Sequence, residues 1–286
     1  MQALLECIPC ITRQAIQILK SNVKDKKQQA SVLKAVLRRL EALDIFSLTP
    51  PEATKFVHEE IKRRLGLSDL YLKEKDASNR AALRLYPRLK KLVRQSDDPL
   101  QTALRIAIAG NIIDHGALAH FCVETAIEEA LIQKFAINHF PKLRGMLKKA
   151  KKILYVGDNA GEIVFDKLFI EELKKHAPAE IVFAVKSQPA LNDVLIADAK
   201  FVGMNKVCRV IESGSDNAGT LLAQATPAFK REYAAADLVI AKGQGNLETL
   251  VDPKKPIFYL LMMKCPFLGE RYGVGAGEIV VMVGKK

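Results

Sequence analysis

The stretch KKILYVGDNAGEIVFDKLFIEELKKHAPAEIVFAV, residues 151–185, decides the fold. Residues 153–156 are a short apolar run of strand formers. Residues 162–176 then place Ile163, Phe165, Leu168, Phe169 and Leu173 at helical spacing, and residues 181–185 read as a second strand. Strand, polar turn, helix, strand is the unit from which parallel sheets are built.

The unit repeats toward the C-terminus. A helix is expected near residues 194–201, a strand at 207–211, a helix over 220–235, and strands at 238–241, 256–263 and 279–283. Strands alternating with helices predict a mainly parallel sheet covered on both faces. Right-handed crossovers make it a Rossmann-like α/β/α layer. Toward the N-terminus the pattern changes. Residues 1–150 read as helices almost throughout, with Ile11, Ala15, Ile18 and Leu19 as one apolar stripe and Leu83, Tyr86, Leu89 and Val93 as another. Helix starts are expected at Pro51 or Glu52, within Thr49-Pro50-Pro51-Glu52, and at Asp97-Asp98-Pro99, and residues 100–110 should form a buried helix. No strand is expected before residue 150. The chain therefore divides into a mostly helical region, 1–150, and a Rossmann-like catalytic domain, 151–286.

Charge follows the same division. Residues 1–150 hold 26 Lys and Arg against 16 Asp and Glu, a net of +10; residues 151–286 hold 18 against 16, a net of +2. The basic residues lie along amphipathic segments and form no dense tract with interleaved aromatics, so solvated helix faces explain them and nucleic acid is not expected as a partner. No stretch of about 18 apolar residues is present to span a membrane. The five cysteines, with no secretory leader before them, fit a reducing cytoplasm.

In an open parallel sheet, ligands bind outside the carboxyl ends of the strands. Here nearly every predicted strand is followed at once by residues capable of chemistry. The first runs into Gly157-Asp158-Asn159-Ala160-Gly161-Glu162, the second into Lys186-Ser187-Gln188-Pro189 and then Asn192-Asp193. The third is followed by residues 213–220, the fourth by Lys242-Gly243-Gln244-Gly245-Asn246, the fifth by Lys264-Cys265. Asp158, Asn159 and Asp193 are hard oxygen donors suited to a divalent cation. Lys242 and Lys264 suit a phosphate, and glycines let backbone N–H groups approach an anion. A cation and cationic clamps around a tetrahedral anion are what phosphoryl transfer needs. Asp158 and Asn159 also suit helix capping, with Glu162 three residues beyond Asn159. Glu162, Asp166 and Glu248 are weaker candidates.

Other motifs fail on spacing. The first turn has no G-x-G-x-x-G, and the chain has no P-loop and no G-x-S-x-G elbow. The first strand lacks the Asp-x-Asp of haloacid-dehalogenase-type phosphatases. Cys7-x-x-Cys10 has no second paired motif to complete a zinc site. The five histidines, among them His115 and His120, form no ligand cluster. Asn111 and Asp114, in Gly110-Asn111-Ile112-Ile113-Asp114, are placed to reach a cleft between the two regions.

With these residues the chain resembles the damage-control phosphatases, the family of domain of unknown function 89. The resemblance rests on Cys7-Ile8-Pro9-Cys10, on 110–114, on 157–166, on Asn192-Asp193 with Asp198-Ala199, on Lys242 to Asn246 with Glu248, and on Lys264-Cys265. The cysteine pair points to the microbial-type subgroup. The resemblance implies a helical N-terminal region joined to a Rossmann-like sheet. It implies hydrolysis of phosphomonoesters of small metabolites, sugar phosphates or damaged phosphometabolites, supported by Mn²⁺, Co²⁺, Ni²⁺ or Mg²⁺. It assigns the cation to Asp158, Asn159 and Asp193, and the phosphate to Lys242, Gly243, Asn246 and Lys264. Some relatives carry Arg-Thr where this chain has Met262-Met263, which bears on the substrate. The rival readings are a methyltransferase using S-adenosylmethionine in the same crevice and a basic nucleic-acid-binding protein.

Overall fold

The computed structural model describes residues 2–110, 120–252 and 254–284. Asn111, Asp114 and His115 lie outside them. Among the described residues seven strands form one sheet, ordered β1-β7-β6-β5-β2-β3-β4. The central strand β2 (Lys152–Val156) pairs in parallel with β3 (Glu180–Val185) on one side and β5 (Leu238–Lys242) on the other. Beyond β3 lies β4 (Arg209–Glu212), and beyond β5 lies β6 (Ile257–Met262), both parallel. Among these strands only the β6–β7 pair is antiparallel, with β7 (Ile279–Val283) running back one place inside the edge of the sheet. The α/β fold with a mainly parallel sheet is therefore as the sequence predicts.

The apolar runs follow from burial on both faces. Along β2 the pleat sends Ile153 and Tyr155 into one apolar cluster and Leu154 and Val156 into the other. The first cluster is closed by α4 (Leu72–Gln95), α5 (Pro99–Ala109) and α8 (Glu162–His176). The second is closed by α10 (Pro227–Ala235) and α12 (Pro266–Tyr272). A third cluster is made within residues 3–70, where α1 (Cys7–Asn22), α2 (Lys26–Glu41) and α3 (Pro50–Leu65) pack on one another. Helix α6 (His120–Ile132) packs on α5. The expected helix starts are present: Thr49 and Glu52 form a reciprocal capping box, and the Asp98 carboxylate accepts from Gln101 N at 3.2 Å.

Four local readings differ. A two-residue strand β1 (Ile137–Asn138) pairs with β7 before α7 (Phe140–Leu147), too short to show any alternation in sequence. The helix expected over 220–235 starts only at Pro227, where the Thr226 hydroxyl accepts from Phe229 N at 3.1 Å. The polar residues after β5 begin a helix, α11 (Gly243–Thr249), that the pattern did not predict. Helix α9 (Ile196–Phe201) is shorter than expected.

Candidate active site

The chain proceeds from β2 to β3 to β4 in one direction and then returns to lay β5 on the other side of β2. The strand order therefore reverses between β2 and β5, and a crevice forms there at the carboxyl ends. The turns that face it are 157–161 and the start of α11.

Backbone pairing brings the oxygen donors together. After β3 the chain doubles back, and Lys186 N donates to Val194 O at 2.9 Å. Residues 192–194 then lie along the β2 turn. Val194 N donates to Asp158 O at 2.8 Å, Ala160 N donates to Asn192 O at 2.9 Å, and Asn159 and Asp193 form an antiparallel bridge. Asp158, Asn159 and Asp193 are thereby gathered and buried. The Asn159 amide donates to Asp158 Oδ2 at 2.9 Å and to Glu162 Oε2 at 3.2 Å, so its Oδ1 turns away from both. Burial, then the Asp193 and Glu162 carboxylates, push the Asp158 carboxyl well above the usual range; Lys186 and Lys264 oppose the rise. Lys186 lies 3.4 Å from Asp193 Oδ2 and donates to Gly219 O at 2.5 Å. Gly243 closes over the same carboxylate. Its φ is +75°, and a Cβ there would come within 1.9 Å of Asp158 Oδ2, so both the backbone and the space demand glycine.

Lys242 has a different place. It is fully buried beneath the turn, and its three N–H groups reach Glu162 Oε1 at 2.5 Å, Asp166 Oδ1 at 2.6 Å and Ala107 O at 2.8 Å. Tyr155 OH also donates to Asp166 Oδ1, at 2.6 Å. Burial opposes the charge on Lys242, yet Asp166 and Glu162 outweigh it and hold the ammonium up at about 12. Burial raises Asp166 to about 6 against the pull of Lys242. With every donor engaged, Lys242 has no proton to offer a phosphate in this arrangement. Asn246 is likewise buried, its amide donating to Lys242 O at 2.7 Å and Gly157 O at 3.3 Å. These two residues tie α11 to the β2 turn.

Above the turn lies a cavity of about 600 Å³ with Asp158, Asn159 and Asp193 at its floor and Lys264 on its wall. Of the residues the resemblance assigns to phosphate, Lys264 lines this cavity; Lys242, Gly243 and Asn246 do not. Lys264 is exposed, and its loop is fixed by Gln244, whose Oε1 accepts from Lys264 N at 3.2 Å and Cys265 N at 3.0 Å. Glu248 also faces the cavity, and burial pushes its carboxyl up to about 7 while a bond from Gln244 opposes the shift. The opposite wall comes from α1 and the segment before it, including Cys7 and Cys10. Burial raises both thiols above their usual range.

The donors fit a hard cation. Among the described residues no three His, Cys, Asp or Glu side chains form a metal cluster; the set here is two carboxylates and an amide. Two carboxylates held together in a buried floor carry like charge that a cation offsets. Lys186 and the wall from α1 were not selected from sequence. Lys186 follows its strand directly, the same signal that singled out Lys242, whereas the α1 wall depends on a packing of distant segments that no local pattern encodes.

The matched family model, the damage-control phosphatase ARMT1-like domain, spans residues 3–280. An uncharacterised protein of Methanocaldococcus jannaschii is 35% identical over 97% of this chain and 94% of its own length. A damage-control phosphatase of Pyrococcus horikoshii is 31% identical over 100% of this chain and 99% of its own, and one of Archaeoglobus fulgidus is 31% identical over 79% and 80%. The crystal structure of a domain-of-unknown-function-89 protein from Pyrococcus horikoshii superposes with a TM-score of 0.90 at 30% identity, each chain covered completely. The chain belongs to the damage-control phosphatase ARMT1-like family.

Proposed function

We propose that this protein is a phosphatase that hydrolyses phosphomonoesters of small metabolites with the support of a divalent cation, Mn²⁺, Co²⁺, Ni²⁺ or Mg²⁺. The observation that carries the reading is the Asn159–Asp193 bridge, which gathers two carboxylates and an amide at the floor of the cavity. The names of the Pyrococcus and Archaeoglobus relatives support the reaction class.

In this reading Asp158, Asn159 and Asp193 hold the cation. When bound, it supplies positive charge to the phosphoryl oxygens. Lys264 stands where a phosphate oxygen can meet its ammonium, and Gln244 fixes that loop. Asp158 orients the attacking water in line with the leaving oxygen. Lys242 acts by position: it neutralises Glu162 and Asp166 beneath the turn and so keeps Asp158 and Asn159 aimed at the cavity. Gly243 and Asn246 shape that turn.

Inorganic phosphate release from p-nitrophenyl phosphate, with and without Mn²⁺, tests the proposal. Asp158→Ala and Asp193→Ala should each lower cation-stimulated turnover by about 10³-fold or more, in the upper range for loss of an electrostatic transition-state partner. Turnover near wild type in either variant rejects the site.

A further inference from the structure

Beyond its polar floor the cavity carries several large apolar side chains. Leu4 and Phe267 line it from opposite segments, the chain before α1 and the start of α12, and Pro266 and Leu191 add carbon between them. Leu4 is 40% and Phe267 38% exposed. Leu5 and Ile8, on the same stretch as Leu4, are exposed as well. Exposed large apolar side chains gathered at the mouth of a cleft mark a surface that something covers.

Glu6, Arg13, Gln14 and Thr54 share this lining with the carbon of Pro9, Ile11, Pro50 and Pro51. Gln244 is engaged at both ends, its amide nitrogen donating to Glu248 at 3.1 Å and its oxygen accepting from the 264–265 backbone. Glu6 and Arg13 on the outer rim are exposed to water. A sugar hydroxyl seated against Leu4 or Phe267 loses water and gains no partner, which costs binding free energy. A ring or hydrocarbon chain gains there.

Resting on the phosphatase reading, we infer that the substrate's phosphate goes to the Asp158–Asn159–Asp193 floor while its other end is an apolar body, aromatic or aliphatic, held between Leu4 and Phe267. A cavity of about 600 Å³ is of the size that encloses such a body together with its phosphate. Between the two substrate types that the family resemblance implies, this favours a phosphometabolite with an apolar end.

The test compares 2-phenylethyl phosphate with glycerol 3-phosphate under Mn²⁺; both lose an alkoxide, so leaving-group reactivity is matched. Expected is a kcat/KM at least about tenfold higher for the phenylethyl ester, as burial of its ring implies. Phe267→Ser should shrink that ratio several-fold, mainly through KM, and Phe267→Leu should restore most of it. Calorimetric titration with 2-phenylethylphosphonate against methylphosphonate reads the same preference without turnover. Preferred hydrolysis of glycerol 3-phosphate, or a ratio unmoved by Phe267→Ser, overturns the apolar-body inference and leaves the phosphatase reading standing. Selective phenylethylphosphonate binding with no hydrolysis of either ester does the reverse. Neither binding nor turnover overturns both.

Discussion

Lys242 closes β5, and Lys264 stands just beyond β6, the neighbouring parallel strand. Both are lysines at carboxyl ends of adjacent strands, yet they sit in opposite surroundings. Around Lys242 the charges are sealed: two carboxylates, a tyrosine hydroxyl and a backbone carbonyl close on one another with no exposed surface. Around Lys264 the charges are open: Asp158 and Asp193 face a cavity, and the Lys264 side chain is exposed. A sealed cluster spends its electrostatics on holding a turn, and an open one keeps them for a ligand. Mutating each lysine and reading both stability and turnover tests whether that division holds.

The largest expected effect is on stability. Lys242→Met leaves Glu162 and Asp166 buried without their counter-charge. Such removal of one partner costs about 3–5 kcal/mol. Urea denaturation of the cation-free protein should show it as a lower midpoint at an unchanged slope. A loss under about 1 kcal/mol breaks the claim that this cluster is structural. Because the folded Lys242 holds its proton up to about 12, its contribution is complete below the ordinary lysine range and is lost as pH rises through about 12.

The next effect belongs to the open cluster. Glu248 holds its proton to about 7 in the folded chain, against an ordinary value of 4.5. A raised carboxyl contributes stability that is full below the ordinary value and is lost as pH rises through about 7. Glu248→Gln removes that loss. Wild type should therefore fall in stability between pH 5 and pH 8 by roughly 2–3 kcal/mol more than the variant does. Parallel urea curves at the two pH values check it, and equal falls in both proteins refute it.

How much of this was legible follows from the distances involved. The place of Asp158 and Asn159 in a polar turn at a strand's carboxyl end was readable because strand, turn and helix are contiguous. Asp193 was readable as a strand-end residue, but its meeting with Asp158 depends on residues 186–194 doubling back, which only the fold shows. The burial of Lys242 was not readable. Its partners lie 76 and 80 positions away and come near because β5 adjoins β2, and sequence periodicity does not fix strand order. Glu162 and Asp166 were weaker candidates for the same reason: spacing of four shows that they share a helix face, not that the face meets a lysine. The two-residue β1 and the α1 wall of the cavity were invisible because neither has a local signature.

The smallest effect is the one that completes the contrast. Lys264→Ala removes an exposed ammonium, so stability should stay within about 0.5 kcal/mol. If Lys264 meets a phosphate oxygen, kcat/KM should fall about tenfold, equivalent to about 1.4 kcal/mol of transition-state stabilisation. Added KCl should slow the wild type more than the variant, because an exposed charge is screened. Lys264→Arg should keep most of the activity, whereas Lys242→Arg has to fit a longer, planar group among three buried acceptors and should not keep the stability. Full activity in Lys264→Ala, or tolerance of arginine at Lys242, would show that the two lysines do not divide the work between a held turn and a bound phosphate.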